Sequence, residues 1–503
     1  MKEIIYIQAG RFSNYIGSHF WNAQQNYFTY GEDAEESIVD HDISFREGAN
    51  PKGESTFSPR LLLFDRKGNF GAVPSLYETA EDADEDTELW GDNVVQYRQD
   101  PIPLSQYHAQ IEAGESTPNE QNKATEPRKI RYWSDYSLVY YHPRSLQRLP
   151  DVPEWEEAEG DWISNGELFN KYDDEYDLME GEFRAFVEEC DNLQGMQLLN
   201  DTATFGSFTN AFLIKFRDDF TKLPCLAFPS LSRNMPQHVD ADNGIKQVIN
   251  DALSLQALCE LATITTPLQS PHLWNTGDWL DGVDFDRDSL YHSSALLSAH
   301  IESATLPLRL KGSANDLSSL TSLLNWHGDT RLAHLNGALP MSGKTFSEGE
   351  LTRRIYDLST ISPDPKATYA RLEVTRGFSH QAIQSYDDWK GQSRLRASCM
   401  HTAPIDLPSS FPNIFAAPER QVSAYSSLQT SARSAPIFAA YGAFANDCLT
   451  KHSDVVTRMG VEADEIKELR ENMWNLEDSY KQDDEYEFDN MSDDAGLGED
   501  EEY

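Results

Sequence analysis

The sequence predicts an α/β fold, with a Rossmann-like parallel-sheet domain followed by a second α/β domain and a C-terminal helix. Three observations predict it. The chain opens on an apolar run that ends in glycine and leads straight into an amphipathic helix. A second strand–helix–strand unit recurs near residue 200. The 503 residues, 39% hydrophobic and 11% aromatic, are enough for two or three packed domains.

Glu3-Ile4-Ile5-Tyr6-Ile7-Gln8-Ala9-Gly10 reads as a buried strand, and Arg11-Phe12-Ser13-Asn14 runs on into Tyr15-Ile16-Gly17-Ser18-His19-Phe20-Trp21. Strand, glycine, Ser/Asn cap and helix form the first half of a nucleotide-binding unit, in which backbone N–H groups face an anion. After an acidic loop, Glu32-Asp33-Ala34-Glu35-Glu36, the segment Leu61-Leu62-Leu63-Phe64-Asp65 reads as a short strand between Pro59 and Lys67-Gly68-Asn69. Residues 1–77 are thus the first part of the domain. Residues 78–128 read as a disordered acidic and polar insertion around Glu81-Asp82-Ala83-Asp84-Glu85-Asp86.

The domain resumes over residues 129–310. Phe183, Phe186, Val187 and Cys190 form one helical face, which Gly195 is expected to end. Met196-Gln197-Leu198-Leu199-Asn200-Asp201 then reads as a second central strand. Thr202-Ala203-Thr204-Phe205-Gly206 reads as a loop opening into a helix with Phe208, Phe212, Leu213, Phe216 and Phe220 on its apolar side. With the strand Leu226-Ala227-Phe228-Pro229 this is a βαβ unit, which places the loop at the carboxyl ends of a parallel sheet. Residues 246–310 read as mainly helical, with Val248, Ala252, Leu255 and Leu258 on one side. Residues 311–450 are assigned to the second α/β domain, 455–482 to a C-terminal helix and 483–503 to an acidic disordered tail.

The net charge of −43 argues against direct nucleic-acid binding and against anionic membrane surfaces. Five scattered cysteines without a CxxC pair fit reduced thiols in a cytosolic protein. No apolar run is long enough to span a bilayer, and neither a signal peptide nor a presequence is recognisable at the N-terminus. The thirteen histidines show no metal-ligand spacing. Asp40-His41-Asp42 fits a turn better than a metal or acid–base site, since neighbours on a strand diverge. Ser398-Cys399-Met400-His401 puts a thiol near an imidazole, with no orienting acid in view. The terminal Glu501-Glu502-Tyr503 resembles the end of α-type tubulin, although an acidic tail can end in Tyr by chance.

The opening segment, Glu189-Cys190-Asp191-Asn192-Leu193-Gln194-Gly195, Arg217-Asp218-Asp219-Phe220, Leu296-Leu297-Ser298 and the Asn472-Met473, Leu476, Tyr480 spacing resemble tubulin in colinear order. The resemblance implies a tubulin/FtsZ-like fold. Val39-Asp40-His41-Asp42-Ile43-Ser44-Phe45-Arg46-Glu47-Gly48, Trp133-Ser134-Asp135-Tyr136 and His142-Pro143-Arg144-Ser145 are similar to a narrower group, the misato family. That family is associated with mitochondrial distribution, morphology and inheritance of mitochondrial DNA, and the resemblance implies those roles.

A phosphate cradle needs bare backbone N–H groups. The stretch corresponding to tubulin's glycine-rich loop, Thr202 to Ser207, keeps one glycine, inserts Phe205 and has Asp201 beside it. A carboxylate about 4 Å from a phosphate costs roughly 4 kcal/mol at an effective dielectric near 20, close to three decades of affinity. Arg11 can meet a phosphate or fill the vacated space. Arg66-Lys67 stand where the resemblance calls for an acid near magnesium, so hydrolysis by that route is not expected.

A degraded site is therefore expected, with no catalytic residue, no metal and no cofactor. Its vestigial nucleotide contacts are Gly10, Arg11, Asn14, Asp65, Thr202, Thr204, Gly206 and Ser207, and weak GTP or GDP binding stays open. Turns and caps account for the retained Gly10, Asn14, Asp65, Gly206 and Ser207 equally well. The expected function is a non-enzymatic scaffold or adaptor on the cytosolic face of mitochondria and in the cytoplasm. Its expected partners are mitochondrial outer-surface or cytoskeletal proteins, tubulin and chaperonin among them. The alternatives are a GTP-binding, polymerising GTPase and a tubulin-biogenesis factor working with the cytosolic chaperonin.

Overall fold

In a computed structural model of the chain, the described residues are 2–29, 36–49, 53, 55–73, 102–112, 130–149, 161–325, 328–360, 368–390, 396–416 and 420–481. β1 (Glu3–Ala9) is buried along its whole length, as an apolar strand covered on both faces must be. Gly10 leaves it at φ 106°, and α1 (Arg11–Asn26) begins at once. A hairpin of β2 (Phe45–Ala49) and β3 (Ser55–Pro59) precedes β4 (Leu61–Arg66). The chain continues through α2 (Gln106–Glu112), β5 (Leu146–Leu149), α3 (Trp162–Tyr176) and α4 (Arg184–Glu188). It then forms β6 (Leu193–Asp201), α5 (Thr202–Asp219), β7 (Cys225–Ser230), α6 (Asp242–Leu261) and β8 (Ile264–Thr265).

The first sheet runs β5-β4-β1-β6-β7-β8, parallel at every pairing. Strands are added outward from β1 on one side, and the chain then restarts on its other side at β6. The carboxyl ends of β1 and β6 are therefore the switch point, where such sheets bind ligands. On one face, Phe208 and Phe212 of α5 pack against Phe64 and Phe169. On the other lie α1 and α7 (Leu290–Thr305). Leu296, Leu297, Ile301 and Ala304 of α7 are all buried, because the helix is enclosed between α1 and a second sheet.

After α8 (Leu317–Leu324) that sheet is built from β9 (His334–Ala338), α9 (Glu348–Arg354), β10 (Tyr356–Asp357), β11 (Thr368–Arg376), α10 (His380–Lys390) and β12 (Arg396–Thr402). A small ribbon, β13 (Ile405–Asp406) with β14 (Gln421–Val422), leads to β15 (Ala424–Ser431). The order is β10-β9-β15-β11-β12, mixed in direction: β15 is antiparallel to both neighbours, and β11 and β12 are parallel. The described chain ends with α11 (Ala435–Thr450), α12 (Ser453–Arg458) and α13 (Ala463–Ser479), whose Ile466, Leu469 and Met473 share a core with Phe438 and Tyr441.

Four local readings change. Gly195 does not end a helix. It lies inside β6 at φ 149°, where a Cβ would come 2.4 Å from the Pro224 carbonyl oxygen. The stretch 202–207 is not a loop, since α5 starts at Thr202. Between α6 and α7 the chain is largely irregular, with Trp274 and Trp279 buried there. Within the stretch read as insertion, residues 102–112 carry α2, where Ser105 donates to the Asp135 carbonyl at 2.5 Å and Tyr107 meets Ser409 Oγ at 2.8 Å. Residues 74–101 and 113–129 lie outside the described residues, as do the acidic loop at 30–35 and the tail from 482.

The two halves are joined by a buried charge cluster. Glu302 of α7 accepts from Gln24 and Tyr27 at 3.1 Å each and from Arg376 at 3.0 Å, with Arg309 at 3.5 Å. Arg376, at the end of β11, also donates to the Ala403 carbonyl, and Arg309 lies over the Phe20 ring. Removing one member of such a set leaves the others charged and unpaired. Glu302→Ala should therefore destabilise the chain by about 3–5 kcal/mol in urea unfolding; a loss below about 1 kcal/mol would contradict this assignment.

Candidate functional site

At the switch point the positive φ of Gly10 turns the chain so that the first N–H groups of α1 point across to the end of β6. They do not face open space. The Asp201 carboxylate accepts from Phe12 N–H and Ser13 N–H, both at 2.8 Å, and from the Ser13 hydroxyl at 2.6 Å. A Cβ on Gly10 would come 2.6 Å from the same carboxylate. α1 has no acid in its first turn and no side-chain cap of its own. Its N-terminal donors are served by a side chain 189 positions away.

Asp201 stands at the N-cap position of α5 yet makes no cap hydrogen bond there. An aspartate so placed ordinarily caps its own helix; this one is turned over to α1 instead. Burial raises its carboxyl from the ordinary 3.8 to about 6. Its three hydrogen bonds oppose that rise and the nearby Asp65 adds to it. The cradle is thus occupied by a carboxyl group whose ionisation burial opposes and the Ser13 and Phe12 hydrogen bonds favour.

The remaining predicted residues have structural partners. Asn14 donates to Asp65 at 2.9 Å and to the Phe64 carbonyl at 3.1 Å. Asp65 also accepts from Asn69 at 2.7 Å and from Arg66 N–H at 2.9 Å, so it fastens the turn after β4. The Thr202 hydroxyl lies 2.5 Å from Asp251 and 2.9 Å from the Ser230 carbonyl. Asp251, raised to about 6 mainly by burial, also takes the Ser232 hydroxyl at 2.7 Å. Phe205 and Ser207 are buried, and Thr204 is half-buried in the first turn of α5. A Cβ on Gly206 would meet Ser254 Oγ at 2.1 Å, so this glycine permits α5 and α6 to approach.

Arg11 is exposed. It lines a cleft of about 280 Å³ with Tyr15, Ile130, Asp286, Asp288, Ser289, Leu290 and Tyr291. The structure thus brings Gly10 against Asp201 with Asp65 nearby and Asn14 held on Asp65, while Arg11 lines the adjoining cleft. Thr202, Thr204, Gly206 and Ser207 extend away along α5. Asp201, read from sequence as a neighbour of the cradle, is its occupant. No local pattern distinguishes it from an aspartate that caps its own helix.

Two other constellations carry no chemistry. Cys399 Sγ is 3.9 Å from His401 Nε2, and the structure supplies an acid not visible in the sequence, Asp387 at 3.1 Å. Acid and thiol meet the same ring nitrogen, however, so no relay forms, and burial pushes the thiol up to about 12. Ser434 Oγ lies 3.0 Å from His334 Nε2, and His334 Nδ1 lies 3.1 Å from Asp357, an arrangement no sequence motif announces. Ser434 and His334 have no exposed surface, so no substrate reaches the hydroxyl. Asp40 accepts from Asp42 N–H in a short turn, and His41 stacks on Phe28. Among the described residues no group of three or more His, Cys, Asp or Glu could hold a metal.

Because the folded carboxyl of Asp201 titrates above its unfolded value, the folded chain keeps that proton longer. The contribution of Asp201 to stability therefore falls as pH rises from about 4 to 6 and is flat above. Asp201→Asn removes this dependence. In urea unfolding, wild type should gain roughly 2 kcal/mol relative to D201N between pH 7 and pH 4.5; a difference independent of pH would contradict the burial of this carboxylate.

Comparison with known proteins agrees with this architecture. Residues 2–113 match the Misato Segment II tubulin-like domain, and residues 122–310 match a Tubulin domain. The chain is 39% identical to Protein DML1 of Gibberella zeae over 76% of this chain and 75% of the relative. It is 30% identical to Protein dml1 of Aspergillus niger over 96% of this chain and 100% of the relative. It is also 30% identical to Protein misato of Drosophila melanogaster over 63% and 61%. The fold is tubulin/FtsZ-like, and the chain belongs to the misato/DML1 family of tubulin-like proteins.

Proposed function

We propose that this chain is a non-enzymatic tubulin-fold scaffold or adaptor that helps partition mitochondria and transmit mitochondrial DNA. One observation carries the non-enzymatic part: the donors that would hold a nucleotide phosphate are engaged by Asp201. A phosphate would have to displace this carboxylate, or lie beside it at a repulsion of roughly 4 kcal/mol per charge pair near 4 Å. Asp286 and Asp288 add negative charge to the adjoining cleft. The organelle role follows from resemblance to the family, and fold kinship alone is an associational argument for it.

A peripheral position on the cytosolic face accords with the absence, among the described residues, of any helix long and apolar enough to cross a membrane. Its net charge of −43 favours attachment through proteins over direct adsorption to anionic lipid. The partners we propose are outer-surface or cytoskeletal proteins, with tubulin and chaperonin subunits as the first to be sought by pull-down.

Titration of the purified full chain with GTP and magnesium tests the reading. We expect no binding at micromolar nucleotide and no phosphate release above background. Stoichiometric GTP with turnover would replace the scaffold by a GTPase. In fractionated cells the protein should be released from mitochondria by alkaline carbonate and digested by added protease with the outer membrane intact; protection from protease would place it inside.

A further inference from the structure

Beyond the carboxyl end of β7 lies a second cavity of about 280 Å³, which shares no lining residue with the cleft at Arg11. Leu231 and Ser232 directly follow β7, Gln269 and Leu273 come from the irregular stretch before α7, and Ile437 and Tyr441 belong to α11. The cavity therefore lies where the first sheet meets the helix that follows the second, a common place for ligand sites. Of the whole chain 25% is charged, yet among the described residues no acidic or basic side chain lines this cavity. Its polar groups are hydroxyls and carboxamides, from Ser232, Asn234, Gln237, Gln269 and Tyr441. A charged guest would lose its hydration there without gaining an ionic partner, so the lining selects an uncharged one.

Tyr441 supplies a second, independent observation. It is only 5% exposed, and among the described residues its hydroxyl has no hydrogen-bond partner. Burial, with Asp251 adding to it, holds that hydroxyl well above its ordinary value, so it stays a donor. Ser232 is its complement. The Ser232 hydroxyl donates to Asp251 at 2.7 Å, which leaves its oxygen to accept, and the Asn234 N–H reaches it only at 3.4 Å. One free donor and one available acceptor in a charge-free cavity match the oxygen and N–H of a carboxamide. We propose that this cavity binds a compact uncharged amide, whose oxygen accepts from Tyr441 and whose N–H donates to Ser232. Its apolar body lies against Met235, Leu273 and Ile437. A volume of about 280 Å³ is near the lower end of small-molecule cavities, roughly 300–1,000 Å³, which suits such a ligand and excludes a helix. The bound amide joins the end of β7 to α11, and so couples the two halves of the molecule.

Benzamide is the probe, titrated into the full-length chain at pH 7.5 and followed by saturation-transfer NMR, with benzoate as its charged isostere. Wild type should bind benzamide saturably, with a Kd of about 1 mM or tighter. Tyr441→Phe keeps the ring and removes the donor, and should weaken binding about tenfold. Ala440→Phe places a ring in the cavity and should abolish binding. Benzoate should bind at least about tenfold more weakly than benzamide to wild type. No saturable benzamide binding by wild type, equal affinity in Y441F, binding retained in A440F, or benzoate bound as well as benzamide would each overturn the proposal. The A440F and benzoate measurements decide it where Y441F does not fold. None of these measurements involves nucleotide, so their failure is distinct from that of the scaffold reading.

Discussion

The arrangement of the candidate site depends on one contact, that of the Asp201 carboxylate with the first turn of α1. The switch point of a doubly wound parallel sheet is formed by the strand ends with an aligned helix N-terminus, and such a place attracts anions irrespective of their source. In this chain the anion is Asp201, delivered by the central strand next to β1 and received by the first turn of α1. The contact joins the two strand–helix units that flank the switch point. It satisfies backbone donors that would otherwise require a ligand or water.

The rest of the site follows from that occupancy. With the anion supplied internally, β6 passes into α5 without a glycine-rich loop, and the residues after Asp201 serve packing. Thr202 binds Asp251, Gly206 admits Ser254, and Phe205 joins the aromatic layer over β4. Asp65 is spent on a turn. What stays open is the cleft at Arg11 and Tyr291, whose acidic rim is unsuited to phosphate. Behind it, α7 carries Glu302 into the cluster that binds the second sheet to α1, so the two halves are fastened by a buried charge set. A tubulin-like frame is thereby retained with an internal carboxylate on the N-terminus of α1, in keeping with the structural or adaptor role we propose.

Much of this was legible in the sequence, for identifiable reasons. The continuous apolar β1, the glycine at its end and the phenylalanine stripe of α5 are local patterns set by period and composition, and the structure places them as read. That the stretch after β6 holds a single glycine was legible directly, and the structure makes it the first turns of α5. The destination of Asp201 was not, because an aspartate before a helix looks the same whether it caps that helix or reaches another across the sheet. Gly195 misled for a similar reason: a breaker in a helical reading is a close-approach residue in a strand beside the Pro224 carbonyl. Glu302 with Arg309 and Arg376, and Asp387 beside His401, are joined by tertiary contacts that no spacing encodes.

The most direct measurement is an experimental structure of the full chain prepared with millimolar GTP and magnesium. The account predicts the Asp201 carboxylate seated on the N–H groups of Phe12 and Ser13 and no triphosphate at the ends of β1 and β6. Density for a phosphate on those N–H groups, with the aspartate turned away, would contradict it.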